Sequence, residues 1–230
     1  MNNMNKSNKS LGILTCTSYD KHNIIRDNFC KITNLTKIKF ASQWLNVQYI
    51  YSDSIKEELN LNVLPYWLKC NFILKYIDLF DYILWMDDDA GIVDQSFDIN
   101  SFLNSLDESK SIFIANDENG INAGVFFMKN SEISKECLKY IISKQSLKEY
   151  NKLYYDQTVL IDFINNHKEI YQEISGSIFN AHHKGFEHNH PNKYCDSTFI
   201  VHVAGGDYRK KILGSNPESL KKIFKIEKCF

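Results

Sequence analysis

Tyr82–Met86 reads YILWM, an unbroken apolar run, and the three aspartates Asp87–Asp89 follow it directly. A short apolar run that ends in polar residues is typical of a buried strand in a parallel sheet. In such sheets, ligands bind beyond the carboxyl ends of the strands. This stretch therefore predicts an α/β fold with a binding crevice at the aspartates.

The aspartates themselves indicate a metal site. Adjacent carboxylates repel one another, and the cost rises as they leave water. Hard divalent cations bind carboxylate oxygens and keep positions open for phosphate oxygens. Because side chains alternate along extended backbone, we expect Asp87 and Asp89 to face one ion while Asp88 points elsewhere. The alternative is a solvated acidic turn without an ion.

The rest of the chain alternates between strand and helix patterns. Strand-like runs are Leu11–Ser18, Val47–Tyr51, Ser111–Ala115, Gly124–Met128 and Thr198–His202. Helix patterns are His22–Lys31, Lys37–Trp44, Pro65–Leu79, Ser131–Ser143, Asp156–Asn165 and Asn216–Lys225. The alternation predicts a Rossmann-like, mixed but mostly parallel sheet flanked by helices. With no repeat or linker, we expect a disordered tail over residues 1–10 and a single domain over 11–230.

Composition limits the class of protein. Hydrophobic residues make up 43%, charged residues 24%, and the net charge is -1, so a nucleic-acid-binding surface is not expected. No apolar run approaches the ~20 residues of a transmembrane segment, and no signal peptide is recognisable. The six cysteines form no C-x-x-C pair, which fits free thiols in a reducing compartment. We therefore expect a cytoplasmic protein.

A second candidate feature lies about a hundred residues after the aspartates. His202 ends a strand-like run, and the glycines Gly205 and Gly206 follow it closely. A glycine pair lets backbone N–H groups approach an anion, and Arg209 and Lys210 supply positive charge for a diphosphate. We predict His202 as a third metal ligand followed by a phosphate cradle; the alternative is a structural histidine.

Other polar segments have two readings each. Asn122, with the small residues Ala123 and Gly124, either contacts a ligand or forms a turn entering a strand. Asp156 either caps a helix or, with Gln157, faces the crevice. The histidines of residues 182–190 match no tight zinc spacing, so a loop over the site, with one histidine touching substrate, is favoured.

Phosphate-loop, dinucleotide-binding and nucleophile-elbow motifs are absent from the sequence.

Taken in order, these motifs resemble glycosyltransferase family 34, which includes plant xyloglucan xylosyltransferases and fungal galactosyl- and mannosyltransferases. The matching segments are YILWMDDDA (82–90), Asn122–Gly124, Asp156–Gln157 and HVAGG (202–206). Trp67, Lys69 and Phe40–Ser42 extend the likeness, which covers residues 11–211. The chain departs from the family at Gly206, where the family's H-F-x-G-C ending has cysteine.

The resemblance implies a GT-A fold and transfer of a hexose or pentose from a UDP-sugar to a glycan or glycoconjugate acceptor, with retention of configuration. It implies Mn²⁺ (or Mg²⁺) at Asp87, Asp89 and His202, and Gln157 and Asp156 near the anomeric carbon. The implied donor contacts are Thr15, Ser18, Lys69, Asp88, Asn122, Ala123, Gly124, Gly205, Gly206, Arg209 and Lys210. Residues 11–115 would form the nucleotide-binding half and 116–230 the sugar and acceptor half. The rival readings are a metal-dependent phosphohydrolase and a non-catalytic nucleotide-sugar-binding module.

Overall fold

The computed structural model describes residues 8–17, 24–147, 155–182, 192–204 and 217–225. The strands are β1 (Leu11–Cys16), β2 (Val47–Ser52), β3 (Tyr82–Met86), β4 (Ala90–Ile92), β5 (Ile112–Asp117), β6 (Gly120–Lys129), β7 (Tyr171–Glu173) and β8 (Ile200–His202). Six of them form one sheet in the order β2-β1-β3-β6-β5-β7. Within it, β6 runs antiparallel to its neighbours β3 and β5, whereas the other pairings are parallel. The sheet is therefore mixed and mostly parallel, as predicted.

Helices cover both faces of this sheet. They are α1 (Ile24–Ala41), α2 (Ile55–Glu58), α3 (Leu68–Tyr76), α4 (Ile99–Ser105), α5 (Glu132–Lys144), α6 (Tyr155–Asn166), α7 (Gly176–Phe179) and α8 (Pro217–Ile223). Short 3₁₀ turns occupy Pro65–Trp67, Ile77–Leu79 and Lys168–Ile170. Within the described ranges, no helix has the length and apolar character needed to cross a membrane.

Strand β3 lies in the middle of the core, as its apolar sequence predicts. Its side chains alternate between two buried clusters: Ile83 and Trp85 pack with α3, α5 and α6, and Leu84 and Met86 pack on the opposite face with α4. Because a strand covered on both faces needs apolar residues at every position, the run YILWM forms a strand here. The first polar residue after it, Asp87, lies at the carboxyl edge of the sheet.

The strand that carries His202 lies outside the main sheet. β8 pairs antiparallel with β4 in a separate two-stranded sheet, in which His202 lies opposite Ala90. Because β4 begins directly after Asp89, this pairing brings His202 beside the aspartates. The Val203 N–H donates to the Asp89 carbonyl at 3.0 Å and fixes the register.

Helix α1 differs from the prediction of two helices over His22–Lys31 and Lys37–Trp44. One helix spans Ile24–Ala41, and the threonines that weaken its middle in sequence terms make tertiary contacts. Thr33 donates to the Asp88 carbonyl at 2.7 Å, and Thr36 accepts from the Ile92 N–H at 2.9 Å. The hydroxyls of these two threonines attach α1 to the segment Asp88–Ile92.

Two residues of the tail predicted over residues 1–10, Lys9 and Ser10, contact the rest of the fold. Residues 1–7 lie outside the described ranges, but Lys9 and Ser10 already make specific contacts. Ser10 donates from its N–H and its hydroxyl to Asp81, at 2.7 and 2.8 Å, and Lys9 donates to the Leu103 carbonyl at 3.1 Å. The predicted division into halves at residue 115 stays a prediction.

Candidate active site

Asp87, Asp89 and His202 form a compact group at the carboxyl end of β3. Their ligand atoms all lie within 4.8 Å of one another, and His202 Nε2 is 3.1 Å from Asp89 Oδ1. Asp89 and His202 are buried, whereas Asp87 is about one-third exposed. No second group of three or more such side chains occurs within the residues described. Carboxylate oxygens with an imidazole nitrogen suit a divalent cation, so the donor set fits the metal that the sequence predicts.

Asn180 orients the imidazole of His202. Its Oδ1 lies 2.8 Å from His202 Nδ1. An amide oxygen accepts hydrogen bonds, so Nδ1 carries a proton, and in the neutral ring the lone pair that a metal needs is on Nε2, beside Asp89. Metal-binding histidines usually have such a partner on the second ring nitrogen. Sequence reasoning missed Asn180, which follows the short helix α7 and belongs to no motif.

Gly124 provides the space that His202 occupies. A Cβ atom on Gly124 would lie 2.1 Å from His202 Cε1, well inside van der Waals contact. The Gly124 carbonyl also accepts a hydrogen bond from the Asp87 N–H at 2.8 Å. Gly124 therefore contacts the group from β6 on two sides, and only glycine fits this packing.

Lys69 connects the metal group to Asp156. Its Nζ lies 3.0 Å from Asp156 Oδ2 and 3.4 Å from Asp87 Oδ1, and it donates to the Ala123 carbonyl at 2.7 Å. Burial acts to lower the pKa of Lys69, but the carboxylates of Asp156 and Asp87 outweigh it and hold that pKa above its usual value. Lys69 is thus a buried, charged link, with three partners inside the protein.

Asp156 is a buried carboxylate within α6. Burial raises its pKa, the nearby Asp87 adds to this effect, and Lys69 opposes it. The helix begins at Tyr155 and the Asp156 side chain bonds to Lys69, so the capping alternative is wrong. The next residue, Gln157, accepts a hydrogen bond from the Ala123 N–H at 2.9 Å through Oε1.

A crevice of about 500 Å³ opens in front of these groups. The metal group lies on its wall together with Asn122, Gly124, Asp156 and Gln157. Asn122 is held by two hydrogen bonds, donating to Asp117 Oδ2 at 2.6 Å and accepting from the Gly124 N–H at 2.9 Å. The structure therefore brings residues from β3, β6, α6 and β8 to one cavity.

The opposite side of the aspartates contains a second buried lysine. Lys37 donates to Thr15 Oγ1 at 3.0 Å and to the Asp87 carbonyl at 3.2 Å. Burial lowers the pKa of Lys37 to about 8, although nearby cysteine and aspartate side chains oppose the shift. Sequence reasoning missed Lys37, because a lysine in a polar helix pattern is normally solvated.

Thr15 differs from its prediction as a donor contact. The residue is fully buried, and its hydroxyl donates to the Met86 carbonyl at 2.8 Å while accepting from Lys37. Its side chain therefore supports the end of β3 from behind, and it does not reach the crevice to contact a donor.

Other predicted site residues divide into two sets. Asp88 is buried and is not among the residues that line the crevice, whereas Asp87 and Asp89 are. His182 does line the crevice. Several predicted residues lie outside the described ranges: Ser18, His183, His188, His190, Gly205, Gly206, Arg209 and Lys210. Their roles, like the ligand contacts of the described residues, stay predictions.

Comparison with solved structures indicates the fold class. The chain is similar to a glycosyltransferase involved in the glycosylation of the major capsid of PBCV-1, at 15% identity and a TM-score of 0.67, over 93% of this chain and 100% of that one. Mouse xyloside xylosyltransferase 1 gives 11% identity and a TM-score of 0.53, over 84% and 97% of the two chains. The bifunctional glycosyltransferase WbbM gives 10% identity and a TM-score of 0.54, over 94% of this chain and 51% of that one. These likenesses show a GT-A fold.

Sequence comparison adds a family match over part of the chain. A comparison with curated proteins finds no match. Residues 100–213, however, match the galactosyl transferase GMA12/MNN10 family, and this range contains Asn122, Asp156, Gln157 and His202. Over residues 100–213 the chain is therefore similar to the galactosyl transferase GMA12/MNN10 family, and its fold is the GT-A fold of glycosyltransferases.

Proposed function

We propose that the protein is a metal-dependent glycosyltransferase that moves a hexose or pentose from a UDP-sugar to a glycan acceptor, with retention of anomeric configuration. The observation that carries the proposal is the group Asp87, Asp89 and His202, whose ligand atoms lie within 4.8 Å of one another in a crevice of about 500 Å³. The family match over residues 100–213 favours sugar transfer over the phosphohydrolase and binding-module readings.

Asp87, Asp89 and His202 would hold the ion, Mn²⁺ or Mg²⁺. When bound, a divalent cation supplies positive charge against the charge that develops on a departing diphosphate. Asn180 keeps the lone pair of His202 Nε2 on the metal side, and Lys69 holds Asp87 from the other direction. The ligands are thus positioned before the ion binds, which limits the reorganisation needed on binding.

Asn122, Asp156 and Gln157 would surround the transferred sugar. Each lines the crevice, and each offers an oxygen or amide that can hydrogen-bond sugar hydroxyls. The contacts of Lys69 with Asp156, and of the Ala123 N–H with Gln157, restrict both side chains to one orientation. We infer same-face attack by the acceptor hydroxyl, with Asp156 and Gln157 beside the anomeric carbon.

The remaining donor contacts are proposed on sequence grounds. Gly205, Gly206, Arg209 and Lys210 follow β8, so they would meet the diphosphate near His202. Ser18 and Asp88 are proposed as further donor contacts on the same grounds. A cytoplasmic location belongs to the same set of proposals.

The test is an assay of donor turnover. The protein is incubated with UDP-galactose, UDP-glucose, UDP-xylose and GDP-mannose, with Mn²⁺, Mg²⁺ or a chelator, and nucleotide release and glycoside formation are followed. We expect turnover of a UDP-sugar that requires the metal, and a product whose anomeric configuration, read by NMR, matches the donor.

Two variants and a control sharpen this assay. Asp87→Asn and Asp89→Asn should each lower turnover by roughly 100-fold, since they remove charge from the proposed metal ligands. Asp78→Asn makes the same chemical change at a carboxylate that is 70% exposed and bonded to Lys135, so it should behave as wild type. Full activity of both site variants, or phosphate release without sugar transfer, would contradict the proposal.

A further inference from the structure

Two tyrosine rings stack on the wall of the crevice. The ring centroids of Tyr66 and Tyr155 lie 4.1 Å apart with an interplanar angle of 3°, and both residues line the cavity. Tyr66 remains 53% exposed although it belongs to a concave surface. A large aromatic ring that stays exposed inside a binding crevice provides apolar contact area for a ligand.

The two tyrosines lie on the same two segments of the chain as Lys69 and Asp156. Tyr66 lies in the 3₁₀ turn Pro65–Trp67, which leads directly into α3 and Lys69. Tyr155 is the first residue of α6 and immediately precedes Asp156. The stacked rings therefore continue outward from the Lys69–Asp156 ion pair, along the same two elements.

The backbone of Tyr155 adopts an unfavourable conformation that its contacts must maintain. Its φ is +41°, in the left-handed region that residues other than glycine seldom occupy. The ring is partly buried against the main core cluster and is stacked on Tyr66. The conformation places the Tyr155 ring at the crevice while α6 presents Asp156 and Gln157, so the orientations of all three side chains are linked.

We propose that Tyr66 and Tyr155 form the acceptor subsite, an aromatic platform that binds a pyranose ring of the acceptor glycan through its apolar C–H face. This inference rests on the proposed function. The polar residues of the β5–β6 turn, Asp117, Glu118 and Asn119, line the same crevice and can bind the hydroxyls of that sugar. An apolar surface combined with a few carboxylates and amides suits a ring that has one C–H face and polar edges.

The position of the platform favours the acceptor over the donor base. An acceptor must bring its hydroxyl to the anomeric carbon, and the residues proposed to flank that carbon, Asp156 and Gln157, directly follow Tyr155. The contacts proposed for the nucleotide belong to other elements, beyond the ends of β1, β3 and β8. The platform thus lies on the side from which an acceptor approaches.

Binding of simple glycosides tests the proposal independently of turnover. Saturation-transfer NMR is run on the protein with UDP and Mn²⁺, using the methyl α- and β-glycosides of glucose, galactose, mannose and xylose as probes. Tyr66→Ala should weaken glycoside binding by about five- to tenfold, since a ring contact of this kind contributes about that much. Tyr66→Phe keeps the ring and should bind as wild type.

Leu64→Ala is the matched control, because Leu64 is a neighbouring exposed apolar residue that does not line the crevice. It should change neither glycoside nor UDP affinity. Thermal melting verifies that each variant is folded, which the exposure of Tyr66 leads us to expect.

Three results would overturn the platform: absence of binding by every glycoside, equal binding by folded Tyr66→Ala, or a loss confined to UDP affinity. The last would assign the rings to the nucleobase. Glycoside binding that depends on Tyr66, without turnover of any donor, would instead contradict the proposed function and leave the platform in place.

Discussion

Replacing Gly124 by alanine should disable the metal group through a single methyl group. The new Cβ would lie 2.1 Å from His202 Cε1, 2.8 Å from Nε2 and 2.9 Å from Nδ1. Ordinary van der Waals contact begins near 3.4 Å, so the ring must retreat by more than 1 Å. It has little freedom to do so, because it is buried, bonded to Asn180 at 2.8 Å, and has Asp89 Oδ1 only 3.1 Å from Nε2.

The size of the effect follows from the tolerance of metal coordination. Metal–ligand distances in proteins vary by about 0.2 Å, far less than the required movement. Gly124→Ala should therefore lower Mn²⁺ affinity by about 10- to 100-fold. The overpacked core should also reduce the free energy of unfolding by about 1–3 kcal/mol.

The measurement pairs isothermal titration of Mn²⁺, in the presence of UDP, with urea unfolding in chelator. Gly120→Ala is the matched control on the same strand: its Cβ would meet no atom within 4 Å, but its φ is +97°. It should lose about 1 kcal/mol of stability through backbone strain and keep wild-type Mn²⁺ affinity. Unchanged affinity in Gly124→Ala, with affinity lost in His202→Ala, would show that the ring adapts and would refute the steric argument.

Three further perturbations probe the surrounding contacts. Asn180→Ala should lower Mn²⁺ affinity by about tenfold, because His202 loses the acceptor that fixes its tautomer. Asn180→Asp keeps an acceptor oxygen and should retain the wild-type affinity. Equal Mn²⁺ titration curves for wild type and both variants would contradict this role of Asn180. Lys69→Met leaves Asp156 buried without its cation, so it should lower the free energy of unfolding, measured in urea at neutral pH, by about 3–5 kcal/mol. A decrease below about 1 kcal/mol would be incompatible with a buried ion pair. Because the pKa of Lys37 is lowered to about 8, the unfolded chain binds more protons above that pH. Wild type should therefore gain stability relative to Lys37→Met between pH 8 and about 10.5, and a pH-independent difference between the two would argue against a charged, buried lysine.

The aspartates could be found from the sequence because their signal is local. A run buried on both faces must be apolar at every position, so YILWM followed by Asp87 marks both a central strand and its end. The prediction that Asp87 and Asp89 share a side while Asp88 does not also depends on adjacent residues alone. Both predictions describe the backbone over fewer than ten residues, where pattern and geometry are closely coupled.

The partners of these residues depend on long-range packing and leave little local signal. Lys69 and Asp156 form their ion pair across 87 positions of sequence, and Asn180 contacts His202 across 22. For Thr15, in contrast, the sequence predicted a ligand contact that the fold does not make. A small polar residue at a strand end is typical of a binding loop, but the Thr15 hydroxyl bonds to Met86 and Lys37. The polarity of a residue is visible in the sequence, whereas the direction its side chain takes is decided by what packs behind it.

Charge balance around the end of β3 explains why these partners matter. Within the described part of the chain, four carboxylates meet here, those of Asp87–Asp89 and Asp156, while the two buried ammonium groups belong to Lys37 and Lys69. The lysines approach from opposite sides, one at the Asp87 carbonyl and the other at its carboxylate. They offset two of the four charges, and the excess that remains equals the charge of one divalent cation beside the neutral imidazole of His202. Through these contacts the lysines fix the backbone and the side chain of Asp87, and the two negative charges that they leave unbalanced match the charge of the proposed metal.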